Sequence, residues 1–154
     1  MYKIADILYD CEERDSSISG KVIADLGCGP GIFCVGSSLL NADFIVGFEI
    51  DEDAISDFKQ NLEDLDLQNE RIDVVNCDVR TLLNQDNFIH QKYFDTVITN
   101  PPFGTTKDTN GIDVIFLHTA LTMATEHVYS LHKSSTRPVS AGQFKLYFER
   151  DRIS

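Results

Sequence analysis

Val22-Ile23-Ala24-Asp25-Leu26 runs directly into Gly27-Cys28-Gly29-Pro30-Gly31. The first five residues are mostly apolar and read as a short strand, and the glycine cluster ends it. Beyond the cluster, Ile32, Val35, Gly36, Leu39 and Leu40 recur at i, i+3, i+4, i+7 and i+8, one face of a helix. Strand, glycine turn and helix in that order open an α/β unit. The glycines let the backbone approach a ligand closely at the turn.

The pattern repeats on both sides. Ile4, Ile7, Leu8 and Cys11 predict a short amphipathic helix over residues 2–12, followed by a polar loop over 15–20. Residues 44–50 and 72–76 are further apolar strands, with a helix between them carrying Ile55, Phe58, Leu62 and Leu65 on one stripe. Residues 80–92 are ambiguous, although Leu82, Leu83, Phe88 and Ile89 suit a short docked helix. Residues 93–99 form a fourth strand, stopped by Asn100-Pro101-Pro102, and residues 104–111 read as a loop. A helix over 113–123 presents Leu117, Ala120, Leu121 and Ala124, and residues 127–132 suit a fifth strand. The alternation predicts a Rossmann-like, doubly wound, mostly parallel sheet with helices on both faces. Residues 1–137 make one domain, and 138–154 a divergent tail in which Phe144 to Phe148 suit one strand.

Composition narrows the function. The chain has 154 residues, 42% apolar and 25% charged, as an ordinary folded domain has. No apolar stretch approaches the ~20 residues of a membrane span. The N-terminus lacks a signal peptide's apolar core, so a cytoplasmic or nuclear location is expected, without membrane contact. Net charge is −12, against a general polyanion-binding surface. Residues 1–100 hold seven basic and twenty acidic residues, while residues 101–154 hold six and five. A nucleic acid is therefore expected to approach the C-terminal third. Cys11, Cys28, Cys34 and Cys77 lack metal-ligand spacing and read as reduced thiols, with Cys34 and Cys77 as small core residues. No metal site is expected.

Ligands of doubly wound sheets bind beyond the C-terminal ends of the strands. Four such ends carry chemistry here. Counted from Gly27, a dinucleotide fingerprint requires glycine where Ile32 stands. Asp25 would repel a pyrophosphate but suits a ligand's ammonium. Glu49, 22 residues after Gly27, can accept both hydroxyls of a ribose. Asp78 can meet an adenine amino group, and Val79 can pack on the ring. Together these describe a nucleoside bearing positive charge, which S-adenosylmethionine is and NAD is not. Helix and loop capping is the alternative role for these acids.

Asn100-Pro101-Pro102-Phe103 follows the fourth strand, and its prolines fix a rigid turn. The Asn side-chain oxygen and the Pro101 carbonyl can both accept from one NH₂ group, while Phe103 offers a ring for stacking. That suits methylation of an amino group conjugated to a ring or a carbonyl. A paired base would first have to be flipped out.

These residues resemble the class I S-adenosylmethionine-dependent methyltransferases of the Asn-Pro-Pro-aromatic group. More narrowly, the chain is similar to the eukaryotic small-subunit ribosomal RNA adenine-N(6) methyltransferases of the methyltransferase-like family. The similarity runs from about residue 3 to Arg137 and is most specific over 22–31, 46–54, 96–104 and 129–137. It implies that Gly27, Pro30, Ile32, Glu49, Asp78 and Val79 line the cofactor pocket, and Asp25, Cys28, Gly29, Gly31 and Asn100 are expected to contribute to the same cofactor site. It implies that Asn100, Pro101, Pro102 and Phe103 hold the target adenine. It also implies a small zinc-binding methyltransferase-activator subunit as partner, beside the ribosomal RNA substrate. The family carries an N-terminal lid and, after Arg137, a helix and two strands. A truncated or alternatively spliced form is therefore expected, with its fifth strand at one sheet edge and its third at the other. The competing functions are methylation of a glutamine amide in a protein release factor, and a catalytically silent cofactor-binding module.

Overall fold

The computed structural model describes residues 2–68, 71–83, 93–101, 111–133 and 144–149. Strands β1 (Val22–Leu26), β2 (Phe44–Glu49), β3 (Ile72–Asn76), β4 (Phe94–Thr99), β5 (Ala124–Lys133) and β6 (Phe144–Glu149) form one sheet in the order β3-β2-β1-β4-β5-β6. The first five run parallel, and β6 pairs antiparallel with β5. The expected doubly wound fold is present. One expectation is corrected: β5 is not an edge, because its residues 128–133 pair with β6. An antiparallel neighbour needs no crossover helix, so six residues of the short tail suffice to cover it.

Helices α1 (Tyr2–Asp15), α2 (Ile32–Leu39) and α3 (Glu52–Asp64) cover one face of the sheet; α4 (Val79–Leu82) and α5 (Ile112–Met123) cover the other. Side chains alternate along a strand, so β1 sends Ile23 to the first face and Ala24 and Leu26 to the second. On the first face Leu8, Cys34, Phe58 and Leu62 pack against Ile23 and Ile45. On the second, Phe116, Ala120 and Met123 of α5 pack against Leu26, Val97 and Val128. Each such large side chain contributes about 1.5–3 kcal/mol by leaving water. The register of β4 against β5 shifts between Phe94 and Thr96. The extra residue lies on β5, since Phe94 pairs with Ala124 and Thr96 with His127.

Element boundaries moved where tertiary contacts outweigh local pattern. α1 continues to Asp15, three residues beyond the expected end at residue 12. Tyr129 Oη contacts Ser17 Oγ at 2.7 Å and Asp15 Oδ2 at 3.2 Å, and so ties the end of α1 to β5. Ile18, within the expected polar loop, is fully buried. Ala124 begins β5 instead of ending the helix before it, and β5 extends at both ends past 127–132. Of the ambiguous 80–92 stretch, Arg80 to Leu82 lie in α4; Phe88 and Ile89 lie outside the described residues.

Candidate active site

The C-terminal ends of β1, β2, β3 and β4 open on a cleft of about 490 Å³. That volume is in the range of pockets that take nucleoside-sized ligands. Gly27, Glu49, Asp78, Val79 and Asn100 line it, so five of the residues expected from sequence meet at one place. Gly27 adopts φ +72°, a left-handed conformation that a side chain strains. A Cβ there would lie 3.0 Å from Phe116 Cε1, so the turn also makes room for α5. Phe48 from β2 and Phe116 from α5 supply the apolar walls, and Phe48 meets Phe94 edge-on with centroids 6.0 Å apart.

The remainder of the glycine loop shapes the cleft without lining it. Gly31 precedes α2 at φ +85°, and a Cβ on it would overlap the Phe58 ring. Pro30 accepts a hydrogen bond at its carbonyl from Asn61 Nδ2, 2.9 Å away, which fastens the loop to α3. Cys28 is buried, and its Sγ lies 3.7 Å from the Gly29 carbonyl. Ile32 is 50% exposed and, like Cys28, Gly29, Pro30 and Gly31, does not line the cleft.

Glu49 ends β2 with its carboxylate among main-chain donors. Gly29 N–H donates to Oε2 at 2.8 Å, and Ile50 and Asp51 N–H donate to Oε1 at 2.8 and 3.0 Å. A carboxylate offers about four acceptor positions. Among the described residues three are used, which leaves one on Oε2 for a ligand hydroxyl. The same carboxylate thus joins the β1–α2 turn to the β2–α3 turn.

Asp78 caps α4, accepting from Arg80 N–H at 2.9 Å, and the Arg80 guanidinium reaches both of its oxygens at 2.6–2.9 Å. The Arg80 guanidinium beside Asp78 holds its carboxyl below the usual carboxylate range. Arg80 is the one cation among the cleft-lining residues, against Glu49, Asp51 and Asp78. The cleft is therefore acidic, as suits a cationic ligand.

Asp25 is placed differently from its expected role at a ligand's ammonium. Strand alternation turns it onto the α1–α2 face, 1% exposed, where Cys34 Sγ lies 3.5 Å from Oδ2 and Oδ1 has no hydrogen-bond partner among the described residues. Burial pushes its carboxyl up to about 7, with the Cys34 thiol opposing and the Glu49 charge adding to the rise. Its one hydrogen-bonding neighbour among the described residues, Cys34, stands in the first turn of α2. Cys77, expected in the core, is only partly buried and lines the cleft.

Asn100 follows β4 at the cleft, and its Oδ1 is buried with no partner among the described residues. An orphaned acceptor of this kind costs about 1–3 kcal/mol unless a donor arrives. Pro101 is buried beside it; Pro102 and Phe103 lie outside the described residues. Phe48, Ile50, Asp51, Arg80, Ile112 and Phe116 also line the cleft, and sequence reasoning assigned them no role there. Ile112 and Phe116 stand four apart on α5, a spacing that marks one helix face but not what it faces.

No group of three or more metal-ligating side chains occurs among the described residues. Nor is any helix among them long and apolar enough to cross a membrane.

The family profile described as methyltransferase small domain matches residues 6–128, most of the chain. The chain belongs to the methyltransferase small domain family. Within this family it is 50% identical over 131 residues to the Danio rerio protein named rRNA N(6)-adenosine-methyltransferase METTL5, covering 85% of this chain and 60% of that one. It is 44% identical over 133 residues to the Drosophila melanogaster protein of the same name, covering 86% and 60%. The chain thus spans about three fifths of the length of these curated relatives. A solved structure from Pyrococcus horikoshii, 28% identical, superposes with a TM-score of 0.68 over 89% of this chain and 61% of that one.

Proposed function

We propose that this methyltransferase small domain takes a methyl group from S-adenosylmethionine and places it on the exocyclic N(6) amino group of an adenosine in small-subunit ribosomal RNA. The observation that carries the reading is the orphaned Oδ1 of Asn100, a buried acceptor at the end of β4 beside an acidic cleft. The names of the relatives support the substrate.

The cleft residues fit the cofactor. The open acceptor position of Glu49 suits a ribose hydroxyl, Asp78 suits the adenine amino group, and Val79 suits the face of the ring. When bound, S-adenosylmethionine supplies a methyl group on a cationic sulfur, already activated for direct displacement. Asn100 Oδ1 accepts one N–H of the target amino group, and the Pro101 carbonyl is proposed to accept the other. Holding both protons favours a pyramidal nitrogen whose lone pair is withdrawn from the ring and aimed at the methyl carbon. Transfer to the nitrogen would leave the carbon–sulfur electron pair on sulfur and release the surplus proton from the nitrogen, with Asn100 and Pro101 holding the amino group throughout. No strong base is required, so positioning and electrostatics carry the rate. Phe48 and Phe116 keep water from the cleft floor.

A zinc-binding activator subunit belongs to the proposal as partner. It would add to the edge of β3, which is terminal in the sheet order and carries the half-exposed Val75. A cytoplasmic or nuclear location belongs to the same proposal.

The test is to incubate the chain, with and without the activator, with methyl-labelled S-adenosylmethionine and ribosomal RNA, then digest the RNA. Label in N(6)-methyladenosine supports the reading. Label in another nucleoside, or in protein only, overturns it.

A further inference from the structure

We propose that the groove between α1 and α2 is a docking site for a cationic amphipathic helix of a partner protein. The site is separate from the cleft: no residue that lines the groove lines the cleft, and none belongs to β3.

Leu8 and Tyr9 of α1 and Gly36 and Leu39 of α2 line a groove of about 320 Å³. Gly36 lets the two helices approach closely, because a Cβ on it would overlap Leu8 Cδ1. Leu8 is buried at the floor, whereas Tyr9 is 55% and Leu39 70% exposed at the rims. Leu39 is the most exposed large apolar side chain among the described residues. Single exposed apolar residues are ordinary on a surface. Two of them flanking a groove between helices have the form of a seam that takes the apolar face of a third helix.

Charge chooses the occupant. Asp6, Asp10 and Glu13 recur at i, i+4 and i+7, so they form one stripe along α1. Asp6 itself lines the groove. All three are exposed, and no hydrogen bond or ion pair engages them among the described residues. The other acids of α1 are occupied within the chain. Glu12 Oε2 accepts from the main-chain N–H of Ile18 and Ser19 at 2.8 and 3.0 Å, and Asp15 Oδ2 lies 3.2 Å from the Tyr129 hydroxyl. Like charges four apart destabilise a helix, so the stripe does not serve α1 itself. α2 carries no charged residue, so the groove is acidic along one side only. A helix with an apolar seam, and with Lys or Arg three to four residues apart along one flank, complements both features. The same stripe repels nucleic-acid phosphates and anionic lipid headgroups, and it opposes a second copy of this chain, whose net charge is −12. The partner is therefore a cationic protein segment.

The test uses a fluorescent synthetic helix of about five turns with a leucine seam flanked on one side by lysines, and a twin with glutamates in their place. Binding is read by anisotropy. The parent chain should bind the lysine peptide at least about tenfold tighter than its twin at low salt, with a smaller margin at physiological ionic strength. Asp6→Lys combined with Asp10→Lys should reverse that preference. Leu39→Ser and, separately, Tyr9→Ser should each weaken the lysine peptide about three- to tenfold. Both positions are exposed, and melting temperatures check that the variants stay folded. Asp57→Lys combined with Glu63→Lys makes the same change of charge on exposed positions of α3 and should shift affinity less than about threefold. Absence of binding, or equal binding of the two peptides, overturns the proposal. A lysine peptide indifferent to Leu39→Ser and Tyr9→Ser, or as sensitive to the α3 pair as to the α1 pair, also overturns it, because general surface charge would then hold the peptide. Self-association of the parent in sedimentation that Leu39→Ser abolishes overturns it as well, because the groove would then join two copies of the chain.

Discussion

At the end of β2, Glu49 is held by three main-chain N–H groups from two turns; after β3, Asp78 is held by the side chain of its near neighbour Arg80. Main-chain donors cannot withdraw without moving the turns that carry them. A side chain can withdraw by rotating. Glu49 is therefore part of the architecture of the cleft as well as a contact for a ligand, while Asp78 is a contact whose availability is adjustable. The difference follows from chain distance. Glu49 bonds across 20 residues to Gly29 and so ties β1 to β2, whereas the Asp78–Arg80 pair spans two residues and ties α4 only to itself.

The sharpest way to break the comparison is to remove each acid. Glu49→Ala should cost about 2–4 kcal/mol of binding free energy for S-adenosylhomocysteine, seen by calorimetry, and should also lower the melting temperature, because three main-chain donors lose a charged acceptor. Asp78→Ala should weaken binding by less and lower stability only by the loss of a helix cap, about 1 kcal/mol. Equal effects of the two substitutions on stability would remove the distinction between them.

Asn100→Ala comes next. It should lower methyl transfer by about a hundredfold, as loss of one positioned polar group does, while leaving cofactor affinity within about threefold. Parallel loss of both in radiolabel and calorimetric assays would make Asn100 structural.

Gly31→Ala tests the loop behind Glu49. The added methyl would overlap Phe58 at a left-handed φ, so destabilisation of about 1–3 kcal/mol is expected in denaturant titration. An unaffected midpoint would show that the loop relaxes freely.

The effect expected at Asp25 depends on pH. Its folded carboxyl titrates near 7, against the ordinary 3.8. The folded chain therefore keeps a proton that the unfolded chain releases, so this group's contribution to stability falls as pH rises from about 4 to about 7 and levels off above. Asp25→Asn should remove that slope, read as the difference between the two melting profiles. An unchanged slope would mean that Asp25 is ionised in its pocket.

The sheet, and the meeting of Gly27, Glu49, Asp78, Val79 and Asn100, were legible because strand ends in an alternating α/β chain all open on the same side. The burial of Asp25 was not legible because acid-to-glycine spacing does not say which face of β1 the acid occupies; the alternation of Ile23 against Ala24 decides that. Phe116 was missed because its place over Gly27 depends on how α5 crosses the sheet. The pairing of residues 144–149 with β5 gave only a local strand signal, which carries neither partner nor direction. The Arg80–Asp78 pair lies in the sequence two residues apart, but i, i+2 groups do not face each other on a regular helix. Their contact exists because Asp78 is the cap and not part of α4.

The most direct test of the cleft is amide hydrogen exchange, with and without saturating S-adenosylhomocysteine. The account predicts added protection at Gly27 to Gly29, at Ile50 and Asp51, and at Asp78 to Arg80, with little change in α1. Protection concentrated instead along the groove between α1 and α2, near Tyr9 and Leu39, or no added protection at the strand ends, would contradict it.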